Sequence, residues 1–305
     1  MDRILITGAL GQLGNAFIDH FENKNVFILA TDIKPLERKL TCKYEKANVL
    51  DKERLEHLIK KYNINVIYHL VAVLSASGEK NPIKSWEINM NSFQNIIEVS
   101  LNNSIKQIFW PSSIAVFGTE SQLDMVPQNP KLNPSTMYGI TKLAGEKLMS
   151  YYNKKNDLDI RSLRYPGIVS VDTPPGGGTT DYIIEMINAA KKGKDYSCFL
   201  SENTELPMIH ISDAVESALQ LMSVPKDVLK IEYPYNITSF SITPKVLEKE
   251  IVSNGFSLKV TYNPDYRQKI AESWPRKIDD TQSKIDWKWT PKFDLEKTIY
   301  QALFN

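Results

Sequence analysis

Short apolar runs alternate with amphipathic stretches through the first half of the chain. "RILIT", "VFILATD", "VIYHLVA", "QIFWPSS" and "IRSLRYPG" are apolar almost throughout and too short for helices, so they predict strands buried on both faces. Between them the apolar positions take a helical spacing. Arg54, Leu55, Leu58, Ile59 and Tyr62 share one helical face just before "INVIYHL", the connection a right-handed crossover needs. The alternation predicts an α/β fold with a doubly wound parallel Rossmann sheet over residues 1–166.

After Pro166 the regular alternation gives way to Pro/Gly-rich loops, isolated helices and short strands. This predicts a smaller, discontinuous C-terminal region, 167–305, that binds substrate. "ELPMIHISDAVESALQLM" reads as a short strand and an Asp-capped helix, a return to the sheet from somewhere near 205–240. Neither internal repeats nor low-complexity segments interrupt the chain.

The 305 residues carry 37 Lys+Arg against 36 Asp+Glu, a net charge of +1 without a basic block. That points away from nucleic acid and anionic membrane and toward a small-molecule partner. Cys42 and Cys198 stand far apart, and His20, His57, His69 and His210 lack ligand spacing, so no metal and a reducing compartment are expected. "MDRILITG" runs straight into a strand, and no apolar run approaches the roughly 20 residues of a bilayer span, so the cytosol is the expected location.

"ITGALGQLG" sets Gly8, Gly11 and Gly14 at the end of the first strand, with Gln12 and Leu13 opening a helix. Glycine suits a tight turn that must approach a pyrophosphate, and the helix start supplies unpaired N–H groups. A purely structural turn would read the same; context favours a dinucleotide. "VFILATD" ends at Asp32, near the expected distance of about 20 residues for a carboxylate that accepts ribose hydroxyls. Asp32 would repel a 2′-phosphate, which selects NAD; Lys34 and Arg38 beyond it keep NADP as the lesser alternative. Ile33 follows directly. Asn48 and Val49 of "ANVLD" are expected under the adenine, and Leu70 and Ala72 of "HLVAV" along the ribose and pyrophosphate, although a buried strand end would explain the latter equally. Tyr165 of "RYPG" is a further expected cofactor contact.

Tyr138 and Lys142 stand four apart on a predicted helix and so face one side. A fixed ammonium beside a phenol favours phenolate and lowers a pKa that is otherwise about 10. Tyr151 and Lys155 repeat the spacing, but deep in the same helix, where both residues are ordinary surface choices. Ser113 in "PSSIAVFG" supports the first pair, because ligands bind at the C-terminal ends of strands in such sheets.

Gly8, Gly11, Gly14, Asp32, Ser113 and the Tyr138/Lys142 pair together resemble the extended short-chain dehydrogenase/reductases, over nearly the whole chain. The resemblance implies a catalytic triad of Ser113, Tyr138 and Lys142 with the tyrosine as acid/base; Asn48 departs from the aspartate that many members carry. It also implies a homodimer joined by a four-helix bundle, built from the helices around "KSWEINMNSFQNIIEVSLN" and "YGITKLAGEKLMSYYN".

"TPPGGGTTDY", residues 173 to 182, lacks GK[ST] and does not follow the fingerprint strand, so it is no phosphate cradle. Its two hydroxyls and carboxylate suit a small molecule bearing both charges. With "LSASGEKNP", "AESWPRKIDD" and "DWKW" it resembles the zinc-free L-threonine 3-dehydrogenases of the extended short-chain class. That resemblance implies oxidation of L-threonine by NAD to 2-amino-3-oxobutanoate. A buried zwitterion needs a carboxylate for its ammonium and several donors for its carboxylate. Asp181 is the candidate for the first; Gly178, Thr179 and Thr180, with glycine N–H groups, are candidates for the second, assisted by Ser75. Trp274 either closes the apolar side of the substrate or packs the tail. A UDP-sugar epimerase or dehydratase is the nearest alternative. A non-catalytic NAD(P)-sensing regulator is disfavoured by the intact Tyr138/Lys142 pair.

Overall fold

A computed structural model of the chain describes residues 2–22, 24–37, 39–121, 123–170, 176–231 and 234–304. Of the positions singled out above, Arg38 and the Thr173–Pro175 start of the glycine loop lie outside these residues. Strands β1 (Arg3–Thr7), β2 (Phe27–Asp32), β3 (Lys43–Lys46), β4 (Val66–His69) and β5 (Gln107–Phe109) are all parallel. After Trp110 and Pro111 the fifth strand resumes as β6 (Ser112–Ser113), and β7 (Ile160–Arg161) resumes after Ser162 as β8 (Leu163–Tyr165). The sheet order is β3-β2-β1-β4-β5-β7, the doubly wound order the alternation predicts. Helices α1 (Gln12–Phe21), α2 (Lys52–Lys61), α3 (Ser75–Lys80), α4 (Pro82–Trp86), α5 (Ser92–Leu101) and α6 (Met137–Asn156) fill the crossovers, with one wide π turn at Glu87–Asn91.

Period-2 alternation explains why this sheet is covered twice. Ile4 and Ile6 of β1 share a core with Phe17 of α1, whereas Leu5 between them packs with Leu55 and Leu58 of α2 and Phe93 of α5. Both faces are therefore apolar, and the polar chemistry is left to the strand ends.

The later chain contributes β9 (Gly167–Val169), α7 (Tyr182–Lys191), β10 (Tyr196–Cys198), β11 (Leu206–His210), α8 (Ile211–Ser223), β12 (Tyr235–Asn236) and β13 (Phe240–Ile242). It closes with α9 (Pro244–Ser253), β14 (Val260–Tyr262), α10 (Tyr266–Glu272), α11 (Thr281–Trp287) and α12 (Leu295–Phe304). The expected return to the main sheet is made by β12, which pairs with β8, and not by β11. Instead β11 lies between β9 and β13 in a separate three-stranded sheet. Gly167 leaves room for this: a Cβ there would stand 2.3 Å from Met208 Sδ and 2.8 Å from the Thr180 methyl, so a larger residue would push those side chains aside. The cap of α8 is also corrected. His210 Nδ1 accepts from Ser212 N–H, while Asp213 turns away and accepts from the Lys292 and Phe293 backbone.

Candidate active site

The glycine turn after β1 shows why each glycine is needed. Gly8 takes φ +70°, left-handed backbone that glycine adopts without strain. A Cβ on Gly14 would stand 2.4 Å from the Gly8 carbonyl and 2.6 Å from Ala9 Cα, so the first turn of α1 rests directly on the strand end. Gly11 precedes that helix without a side-chain cap, which leaves its first N–H groups, including those of Gln12 and Leu13, to a ligand. Asp32, closing β2, accepts from Leu10 N–H at 3.1 Å and from Lys34 N–H at 3.1 Å, placing its carboxylate beside the turn.

Around this mouth Ile33 is exposed, and Asn48 is exposed with its Oδ1 turned back on Leu50 N–H at 3.0 Å. Val49 buries its side chain in the core, and Leu70 and Ala72 are half-buried at the end of β4. Tyr165 requires correction as a cofactor contact. Its ring lies in the core, and its hydroxyl donates to the Ala214 carbonyl at 2.6 Å, so the side chain faces away from the mouth.

The second half of the site forms where β6 meets α6. Thr136 caps α6, accepting from Gly139 N–H at 3.1 Å, and Glu79 of α3 accepts from Met137 N–H at 2.7 Å. Two glycines set how close the helix comes. A Cβ on Gly139 would lie 2.2 Å from the Ala115 carbonyl, and one on Gly145 would lie 2.3 Å from the Trp110 ring. Ser113, Tyr138 and Lys142 are thereby brought together. In the Tyr151/Lys155 pair the lysine donates directly to the phenol at 2.6 Å, but in solvent.

Burial pushes the Tyr138 phenol up to about 12, opposed by a hydrogen bond with Ser113. Burial brings the Lys142 ammonium down to about 7, opposed by the charge of Glu146. The expected acidified phenol is thus corrected for this state. Lys142 Nζ donates to the Pro111 carbonyl at 2.6 Å and stands 5.6 Å from the centre of the Tyr138 ring, and desolvation is the largest influence on both groups. His69, sealed between Thr7 and Ser92 hydroxyls, is held down to about 3 by burial and stays neutral.

The glycine loop lies against α3. Ser75 Oγ and Thr179 Oγ1 are 3.1 Å apart and both buried, and a Cβ on Gly177 would stand 2.2 Å from Ser77 Oγ. Asp181 departs from its expected role as a free counter-ion. Its Oδ2 accepts from Gly177 and Gly178 N–H groups at 2.8 and 2.9 Å, so the expected ammonium partner and the expected carboxylate donors satisfy each other. Burial raises its pKa, and those two bonds oppose the rise. Thr180 packs its methyl toward Gly167. Trp274 is buried in a further apolar cluster with Ile114 and Tyr182, as tail packing requires, although its Nε1 has no hydrogen-bond partner among the described residues.

Three residues escaped the sequence reading. Asn89, in the π turn, bonds to both Val73 N–H and C=O and to Thr141 Oγ1, tying the β4 end to α6. Glu146 and Arg164 form a buried pair behind Lys142. An arginine inside the apolar run "SLRYPG" was the one available signal.

A doubly wound sheet with an open glycine turn, an acidic second-strand end and a serine, tyrosine and lysine at its C-terminal edge defines a dinucleotide-dependent enzyme class. The model of the NAD dependent epimerase/dehydratase family matches residues 4–238, and the chain belongs to that family, with NAD as its cofactor. It is 37% identical over 305 residues to an uncharacterized epimerase/dehydratase of Staphylococcus haemolyticus, covering 97% of this chain and 94% of that protein. It is also 37% identical over 306 residues to the mitochondrial L-threonine 3-dehydrogenase of Bos taurus, covering 99% and 82% respectively. A solved monomeric L-threonine 3-dehydrogenase from a metagenome, in its apo form, superposes with a TM-score of 0.94 at 42% identity, over 98% of this chain and 97% of that one.

Proposed function

We propose that this chain oxidises L-threonine at its 3-hydroxyl to 2-amino-3-oxobutanoate, with Tyr138 as general base. The observation that carries this reading is the convergence of Ser113, Tyr138 and Lys142 at the sheet edge, beside a glycine loop clasped to α3 through Ser75 and Thr179. The two relatives named for threonine oxidation align along nearly the whole chain, which supports the substrate.

The glycine turn suits the cofactor, since α1 behind it starts without a side-chain cap and the Asp32 carboxylate lies beside it. Gly8, Gly11, Gln12, Leu13 and Gly14 would hold its pyrophosphate and Asp32 its ribose. Bound NAD supplies the hydride acceptor. Tyr138, as phenolate, takes the proton of the substrate hydroxyl while Ser113 holds that oxygen, and the Lys142 ammonium favours the phenolate. Thr179 and Ser75 face the amino acid end, and Asp181 keeps the loop that presents it in shape.

In this reading residues 1–166 bind NAD and 167–305 mainly serve the substrate. Among the described residues neither Cys42 nor Cys198 forms a disulfide, which suits the cytosol. A homodimer through α4, α5 and α6 is supported by exposed Ile83 and Trp86 on α4, Leu101 on α5 and Ile140 on α6, although one solved relative is called monomeric. Light scattering on the purified protein tests that assembly.

The function is tested by NADH formation across a panel of 3-hydroxy amino acids and 3-hydroxy acids, repeated with NADP and beside a nucleotide-sugar epimerisation assay. L-threonine with NAD should give the highest kcat/KM. Turnover of a UDP-sugar without NADH release from threonine would replace this reading by the epimerase one.

A further inference from the structure

Three consecutive residues of the interrupted fifth strand are engaged by α6 at successive turns of the helix. The Pro111 carbonyl accepts from Lys142, Ser112 Oγ donates to Glu146 Oε1 at 2.6 Å, and Ser113 lies close enough to the Tyr138 phenol to lower its pKa. The middle contact is deeply buried: Glu146 is 0% and Arg164 2% exposed. Arg164 grips the carboxylate through two bonds, Nε to Oε1 at 3.0 Å and an Nη2 to Oε2 bond at 2.8 Å. Its remaining nitrogen reaches the Gln128 carbonyl at 2.8 Å and Asn236 Oδ1 at 3.3 Å.

A buried ion pair is a weak stability device, because apolar side chains of similar volume often serve as well. Its location offers another account. Glu146 stands four residues from Lys142 on the same helix, and its charge acts on that ammonium. Arg164 occupies both carboxylate oxygens, which leaves Lys142 to the Pro111 carbonyl and the Tyr138 side of the site instead of a direct ion pair.

We propose that Glu146 is a positioning residue of this active site: locked by Arg164, its carboxylate fixes Ser112, and with it Ser113 against Tyr138, and presents its negative charge to Lys142. The inference rests on the reading of Ser113, Tyr138 and Lys142 given above. Removing the charge lets desolvation of Lys142 act unopposed, so the amine loses its proton at a lower pH. Removing only the Ser112 tie shifts the strand end and leaves the charge in place.

Glu146→Gln separates charge from shape. The Lys142 titration is followed by NMR of 13Cε-labelled lysine, with the signal assigned through Lys142→Met and no substrate present. The midpoint is expected to fall by about one pH unit or more, and the alkaline decline of kcat to move with it. Ser112→Ala should leave that midpoint in place while kcat falls about tenfold. A folded Glu146→Gln protein with the parent's midpoint and kcat overturns the proposal, even if its melting temperature drops, because the pair is then structural only. Where that variant fails to fold, a parent-like kcat in Ser112→Ala overturns it. The titration needs no turnover, so its outcome is separable from failure of the threonine reading, which appears instead as a parent that forms no NADH from L-threonine.

Discussion

The Asp181 carboxylate holds Gly178: its Oδ2 accepts the glycine's N–H at 2.9 Å and shares itself with Gly177 at 2.8 Å. An acid and two donors that seem separate ligand groups along the chain are one clasp that shapes the loop. Asp181→Ala should therefore raise KM for threonine about tenfold or more, in line with about 1.5–3 kcal/mol for hydrogen bonds to a charged group. Asp181→Asn, which keeps an acceptor in place, should retain most of the parent affinity. Equal losses in the two variants, measured as kcat/KM for threonine, would instead make Asp181 the counter-ion of the substrate ammonium.

Tyr138→Phe removes the only proposed proton acceptor and leaves the glycine turn untouched. NADH formation should fall by about 10²–10⁴-fold, the range for general acid–base catalysis. Quenching of protein fluorescence by NAD should give a Kd within a few-fold of the parent. Retained turnover rejects the assignment.

Gly14→Ala places a Cβ where backbone atoms already stand at 2.4 and 2.6 Å. The first turn of α1 must then lift off the strand end. We expect a loss of about 1–3 kcal/mol in stability and a weaker NAD Kd, read by denaturant unfolding and by titration. An unaltered Kd would show that the pyrophosphate does not rest on this turn.

Lys142 is held at about 7 in the folded chain against an ordinary 10.5, so below neutrality the folded state carries a buried charge that the unfolded state solvates freely. The native state binds fewer protons between those two values, so this residue's penalty on folding grows as pH falls from about 10.5 toward 7 and is fully present below 7. Lys142→Met should accordingly raise the melting temperature of the cofactor-free protein by a few degrees at pH 6 and by less at pH 9, while abolishing turnover. A calorimetric shift independent of pH would mean that the ammonium carries no burial penalty.

By itself the sequence determined the doubly wound sheet and pointed to the glycine turn, Asp32 and the Ser113–Tyr138–Lys142 set, because each is written in short-range pattern: short apolar runs, glycine spacing, a serine at a strand end and an i,i+4 pair at a helix start. Tertiary structure alone decided what long-range packing controls. It sent Leu206–His210 to β9, since Gly167 leaves room there, turned the Tyr165 hydroxyl into the core, and matched Arg164 to Glu146 across 18 residues. It also set the electrostatics of the catalytic pair. Spacing places an ammonium near a phenol, but how far water is excluded from each depends on every element packed around them, and that exclusion moved both groups against the direction that their proximity implies.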